Sequence, residues 1–327
     1  MTGSEVVMVR LQRGKHHNLE VTLSRRISPN WPLILVVLSW GFNFVSLKVL
    51  YREIEPSAVA LMRFLAMWSM LVPLCVARGL SLRYQRTDVV RVLFAGFLAM
   101  GLYMVLFMEG LHLTHPAEGA IILATSPVLT YLLASALRQE KFSFAALGFS
   151  CIAFVGVAIV IFGGATSPKS PGGDTAIKGD LVLLVSAVVW ATTVVTMRPL
   201  LKKYEATQLL TLSMPGGALV MIPYGLPALL KTPVSHVSSF GWLMFAQVSI
   251  LSGVVGFACF YLGVKQVGAT RATLYQYFVP PTAAFFAWLV MGKSLLPVQV
   301  LGLIVLLGGV VATTQVRVAS AAATELK

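Results

Sequence analysis

Charged residues are scarce in this sequence. Asp, Glu, Lys and Arg make up 11% of its 327 residues, against 57% hydrophobic residues, and the mean hydropathy is +0.83. A water-soluble domain carries about a quarter charged residues, so a chain this long and this poor in charge cannot cover a surface facing water. An ordinary cytosolic enzyme, a disordered scaffold and a disulfide-stapled secreted domain are excluded. Cysteine is also sparse. Cys75, Cys151 and Cys259 each sit in an apolar run, where a thiol packs as a small hydrophobe rather than in a disulfide framework or metal site. The five histidines fall in the first segment and in loops; no HExxH spacing or phosphate-binding glycine loop occurs. No catalytic residue, metal or cofactor is expected.

What is present is a series of apolar runs. A helix needs about 20 apolar residues to cross roughly 30 Å of hydrocarbon. Ten stretches qualify, near 31–50, 57–77, 89–111, 117–137, 145–163, 179–198, 206–229, 240–264, 269–292 and 296–316. Residues 1–30 are polar and basic, without the apolar core and cleavage site of a signal peptide, so the first span is expected to act as its own insertion signal. The short connections predict antiparallel helical hairpins. The Pro/Gly/Ser-rich stretch 164–178 is the natural periplasmic linker between two halves.

The net charge of +13 has no compact basic domain to carry it, so no nucleic-acid partner is expected. It follows membrane sidedness instead. With both termini cytoplasmic, eighteen Lys and Arg residues fall on the inner side, six on the outer, and Arg63 within a span, as the positive-inside rule demands. The localisation expected is a bacterial inner membrane, with a basic tail at 1–30 and a second tail at 317–327.

An internal repeat organises the spans. At a spacing of 153 residues Phe107 meets Phe260, Gly110 meets Gly263, Pro127 meets Pro280 and Gly156 meets Gly309. At a spacing of 150, Trp40 meets Trp190. Each repeat holds five spans, an odd number, so the second copy enters the membrane from the opposite side. Such inverted pairs build pathways that open alternately to the two sides, which favours transport over intramembrane enzymology.

The run Ser39-Trp40-Gly41-Phe42-Asn43-Phe44, the pair Arg63-Phe64, and the Pro127-containing fourth span followed by Glu140 resemble an EamA domain of the drug/metabolite transporter superfamily. The second half repeats the plan through Trp190, Pro280-Pro281 and Leu301-Gly302-Gly308-Gly309. Within that superfamily the chain is most similar to bacterial amino-acid exporters of the YddG type. The resemblance implies an all-α polytopic membrane protein, with ten transmembrane helices as two inverted five-helix repeats (31–163 and 179–316) around a central cavity, exporting neutral amino acids, aromatic ones included. Two positions depart from the pattern: Lys293 stands opposite Glu140, and Leu212-Ser213-Met214 offers no arginine opposite Arg63.

The embedded polar and aromatic residues are the candidate substrate contacts. Trp40 and Asn43, three apart, share a helix face with Phe44 adjacent; Trp190 and Thr193 occupy the matching span. Tyr103 and Phe107 are four apart, and Tyr275 and Gln276 precede Pro280-Pro281. Tyr261 lies mid-span. Two readings stand for the polar members: they line a cavity, or they join helices by hydrogen bonds. Aromatic faces stack on aromatic solutes and hold ammonium groups; the alternative is an interfacial belt, the expected place of Trp31, Trp242 and Trp288. Pro127, Pro280 and Pro281 act either as hinges or by freeing the carbonyls of Leu123, Gln276 and Tyr277. Arg63 is expected to pair with Glu109 or Glu118 or to reach the interface, direct contact with a substrate carboxylate being the lesser alternative, and the cavity is expected to lack a central ion. That suits a zwitterion and argues against cationic drugs and nucleotides. With no mid-span carboxylate for a proton relay, facilitated export is expected rather than dedicated proton antiport. Partners are then a small-molecule substrate, neutral amino acids, and membrane lipids; a monomer is possible, and the sequence leaves the oligomeric state open. The competing readings are export of another metabolite, or a non-transporting membrane enzyme or accessory subunit.

Overall fold

The computed structural model describes residues 30–137, 142–165, 173–267, 272, 275–292 and 295–325; all but Asn30 belong to one unit, Trp31–Lys327. Among the described residues every regular element is helical. In order these are α1 (Trp31–Leu50), α2 (Pro56–Ala77), α3 (Val89–Gly96), a π segment (Phe97–Leu102), α4 (Tyr103–Leu113), α5 (Pro116–Leu123), α6 (Ser126–Ala136) and α7 (Phe144–Ala165). Then come α8 (Gly173–Leu200), α9 (Ala206–Leu229), α10 (Ser239–Ala246), a second π segment (Gln247–Val255) and α11 (Gly256–Val267). A 3-10 turn (Gln276–Phe278), α12 (Val279–Met291) and α13 (Pro297–Glu325) complete the chain.

Among the described residues seven stretches are long and apolar enough to cross a membrane: Trp31–Leu50, Pro56–Ala77, Val89–Leu113, Pro116–Ala136, Thr175–Leu200, Ala206–Leu229 and Ser239–Val267. Shorter apolar helices lie at Leu147–Val160 and Pro297–Gly309. Helix extends beyond two expected boundaries. α8 already begins at Gly173, inside the stretch expected to be linker, and α13 continues through the expected tail to Glu325; its Ala-rich end has high helix propensity and no breaker. The basic tail before Asn30, and the positions Glu140, Arg271 and Lys293, lie outside the described residues.

The packing pairs form a pattern that survives exchange of the two halves. α1 packs on α11 and α12, while α8 packs on α4, α5 and α6. The first π segment packs on α9 and the second on α2. α2 lies against α9, and α7 against α13. Close approaches repeat the pattern at residue level. A Cβ on Gly156 would lie 2.4 Å from the Leu306 nitrogen, and one on Gly309 would lie 2.5 Å from the Ala153 nitrogen. Gly156 moved forward by 153 residues is Gly309, and Leu306 moved back by 153 is Ala153, so the second contact is the first with the halves exchanged. Likewise Gly110 abuts Leu183, and Gly263 abuts Leu33. Where apolar burial gives no net drive between helices in lipid, such backbone proximity is what allows them to pack closely.

Two polar ties obey the same exchange. Glu53 accepts from the Ser238 backbone N–H and hydroxyl, both at 2.7 Å. Those two bonds hold its carboxyl below the usual carboxylate range. The counterpart is Lys203 with Asp88, whose Nζ–Oδ2 distance is 2.8 Å. Ser238 and Asp88 each immediately precede a helix, α10 and α3.

Gly156→Ala and Gly309→Ala are expected to lower stability alike, by about 1–3 kcal/mol each, because an inserted methyl forces packed backbones apart. Gly148→Ala, with nothing within 4 Å of its Cβ, is the control. Thermal unfolding of the detergent-solubilised protein reads the difference, and equal midpoints for all three would rule out the backbone contact.

Candidate functional site

The exchanged pairs leave a space among α1, α2, α4, α5, α6, α8, α11 and α12. It is open on one side, and its free space together with the adjoining solvent amounts to about 610 Å³. Its wall is formed by Trp40, Asn43, Phe44, Arg63, Tyr103, Met104, Phe107, Ala120, Leu123, Ala124, Ser126, Trp190, Phe257, Gln276 and Val279.

The aromatic wall is a continuous set of ring contacts. Trp40 stands edge-on to Trp190 at 6.1 Å and packs on Phe257 and Phe260 at 5.4 and 5.2 Å. Trp190 meets Tyr103 at 4.9 Å, Tyr103 stacks on Phe107 at 5.8 Å, and Phe107 meets Phe44 edge-on at 5.6 Å. Trp40 is also oriented by a hydrogen bond, its Nε1–H donating to the Ser252 carbonyl at 3.1 Å. That carbonyl belongs to the second π segment, whose wider turns interrupt the regular helical ladder, a feature common at functional sites. The Ser252 hydroxyl and the Gln247 amide both donate to the Ser39 carbonyl, at 2.6 and 3.0 Å. The indole is thus held by the second π segment, and the backbone just before it is tied to the same segment.

Seven of the ten sequence candidates are on this wall: Trp40, Asn43, Phe44, Tyr103, Phe107, Trp190 and Gln276. Three are elsewhere. The Thr193 hydroxyl donates to the Val189 carbonyl at 3.0 Å, one turn back in its own helix, which is the helix-internal alternative. Tyr261 is packed under the wall against Phe257 and Phe260. Tyr275 is half-buried and is not a wall residue. Trp31, Trp242 and Trp288 are exposed on the apolar exterior.

The three candidate prolines, Pro127, Pro280 and Pro281, do not lie within continuous helices. Ala124 and Thr125 separate α5 from α6, and Pro127 occupies the first turn of α6. Pro280 and Pro281 open α12 behind the 3-10 turn. A proline at a helix start lacks only a donor that would be unpaired there anyway. Two carbonyls expected to be free are engaged: Leu123 accepts from the Ser126 hydroxyl at 2.6 Å, and Gln276 accepts from the Val279 N–H. The two span interruptions, at 124–125 and at 276–278, are where the chain contributes short residues and the Gln276 amide to the cavity.

Arg63 departs most from expectation. It is 3% exposed and forms part of the wall, two turns inside α2. It pairs with neither Glu109 nor Glu118: Glu109 accepts from the Tyr224 hydroxyl, and Glu118 from the Gln299 amide. Sequence reasoning noted the lone cation inside a span but had no means of seeing which neighbour it meets. Met104 and Phe257 were also missed; each is one helical step from a residue that was chosen. Three buried polar atoms on the wall have no partner: Asn43 Oδ1, Arg63 Nε and Gln276 Nε2. Unmet polar groups in a hydrocarbon setting are costly, and all three belong to residues that line the one space.

The sequence matches the EamA-like transporter family twice, over residues 30–162 and 177–315. The chain belongs to that family. Among relatives of this EamA-like protein, the uncharacterized transporter YyaM of Bacillus subtilis (strain 168) is 27% identical over 84% of this chain and 90% of its own length. A probable terminal-alkyne amino-acid exporter of Streptantibioticus cattleyicolor is 25% identical over 83% of this chain and 88% of its own. A solved crystal structure shares the fold, with a TM-score of 0.61 and 18% identity over 88% of this chain and 96% of that one. The protein is therefore a multi-pass membrane transporter and not an enzyme.

Asn43→Leu separates the two readings of that residue. If it faces the cavity, removing its unmet oxygen leaves the unfolding midpoint unchanged or raised, since a buried acceptor without a donor contributes nothing to the fold. A clear fall in the midpoint would assign Asn43 to joining helices.

Proposed function

We propose that this EamA-like transporter exports neutral amino acids, aromatic ones included, across a bacterial inner membrane by alternating access. In this reading ten helices form two inverted five-helix repeats, both termini are cytoplasmic, and substrate binds in the central cavity between the repeats. The observation that carries it is the combination of a half-exchanging packing pattern with an aromatic cavity enclosed by both halves. Five spans per repeat would set the copies in opposite senses, and an opposed pair around one site is the arrangement that exposes that site to each side in turn. The amino-acid exporter among the relatives adds support for the substrate class. The seven wall candidates would act as substrate contacts, with the interruptions beside Pro127 and Pro280-Pro281 as the places where half-helices tilt.

The structure changes one premise of the substrate choice. The cavity holds a guanidinium, so a purely neutral lining is no longer the ground for preferring a zwitterion. The preference rests on the mixture of aromatic faces with one unmet acceptor and two unmet donors, which suits a solute carrying an apolar side chain, a carboxylate and an ammonium.

Counterflow of labelled amino acids into proteoliposomes is expected to be saturable and to be competed by aromatic and aliphatic amino acids. Trp40→Ala and Gln276→Ala are each expected to abolish it while folded protein is retained. Unchanged flux in both variants would remove the cavity assignment, and absence of flux for every neutral amino acid would remove the substrate class.

A further inference from the structure

We propose that Arg63 binds the carboxylate of the transported solute and makes that carboxylate a condition of binding; this rests on the amino-acid transport reading above and names the group that the site selects. An arginine stays charged at any physiological pH. In the described structure its Nε–H has no acceptor, and its Nη1 has only the Met104 sulfur, at 4.0 Å, a weak acceptor. No carboxylate forms an ion pair with it: the described ion pairs are those of Lys203 with Asp88 and Lys265 with Glu205. A buried cation without a counter-ion is among the costliest arrangements in a protein interior, and here it is placed on the wall of the cavity.

The chemistry of the three unmet groups selects what can complete it. A guanidinium presents a planar fork that fits a carboxylate through two parallel bonds. Gln276 adds a second neutral donor. Asn43 Oδ1 needs a donor and not an acceptor, so a phosphate or sulfate, with acceptor oxygens on every side, would leave it unmet. An ammonium meets it, and the faces of Trp40, Trp190 and Tyr103 can attract the same charge. A simple amine supplies the ammonium but nothing for Arg63, and its charge is repelled by the guanidinium.

The test titrates the full-length protein in detergent with L-phenylalanine, phenethylamine and 3-phenylpropionate, read by tryptophan fluorescence, to which Trp40 and Trp190 contribute. Phenylalanine is expected to bind and phenethylamine to give no saturable change. Arg63→Gln should weaken phenylalanine binding by about tenfold to a hundredfold, the effect of losing a hydrogen bond to a charged group. Arg63→Lys, which keeps the charge without the fork, should recover part of it. Phenethylamine binding as tightly as phenylalanine, or Arg63→Gln leaving phenylalanine affinity unchanged, overturns the anchor and leaves amino-acid transport standing. Binding of 3-phenylpropionate without phenylalanine overturns the amino-acid reading and keeps the carboxylate anchor. No binding of any of the three overturns both. The ligand comparison uses the unaltered protein, so it decides the matter even if the variants fail to fold.

Discussion

Helix backbones in this protein meet where side chains are absent, and the cavity depends on that. In lipid, helices gain nothing by hiding leucine from hydrocarbon that resembles it; they associate through close packing and polar contacts. At Gly156 and Gly309 the α7 and α13 backbones approach so closely that no Cβ could intervene; Gly110 leaves room for the Leu183 side chain and the nearby α8 backbone, and Gly263 leaves room for the Leu33 side chain of α1. α7 and α13 contribute nothing to the cavity wall. Their contact is a frame that holds its shape without filling the centre. A bundle stabilised by a packed central core could not leave that space open; one stabilised by pairwise backbone contacts can.

Sequence reasoning recovered much of this because the relevant signals are periodic. Apolar runs of membrane-spanning length predicted the long helices. Matching residues at one fixed spacing picked out Gly156 with Gly309 and Gly110 with Gly263, the same glycines that make the exchanged contacts. Pairs three or four apart, such as Trp40 with Asn43 and Tyr103 with Phe107, share a helix face, so choosing one member brought in the other. The failures come where periodicity is silent about the neighbour. Thr193 is one turn from Trp190, yet its hydroxyl turns back to its own helix. Tyr261 follows Phe260 and lies behind the wall. Proline is equally mute: Pro73, Pro215, Pro223 and Pro227 sit inside continuous helices, while Pro127 and Pro280 stand at interruptions. Whether a proline breaks a helix depends on what satisfies the freed carbonyl, and that partner comes from elsewhere in the chain.

Arg63 illustrates the same limit with a larger energetic consequence. A cation two turns inside a span has three routes: reach the headgroups, find a carboxylate, or face an aqueous space. Nothing local decides among them. The structure removes the second by engaging Glu109 with Tyr224 and Glu118 with Gln299, and burial removes the first. What remains is the cavity. The electrostatic character of the site therefore follows from which carboxylates are already occupied, a property of tertiary packing that no window of sequence contains.

The second half explains why, among the described residues, the cavity wall carries one arginine. The position 150 residues beyond Arg63 is Ser213, whose hydroxyl donates to the Leu210 carbonyl of its own helix. Its backbone lies so close to α3 that a Cβ on Gly96 would fall 1.8 Å from the Ser213 carbonyl oxygen. The second half thus has a tight helix crossing where the first has a charged wall. The two matches to the family supply two similar frames; under the proposed function a single solute needs one carboxylate partner, and a second unpaired cation would add repulsion and desolvation cost without a second anion to offset it. The site is therefore asymmetric within a repeated frame. In the proposed cycle the frame's exchange supplies the two open states, while the charge that selects the solute stays with the first half throughout.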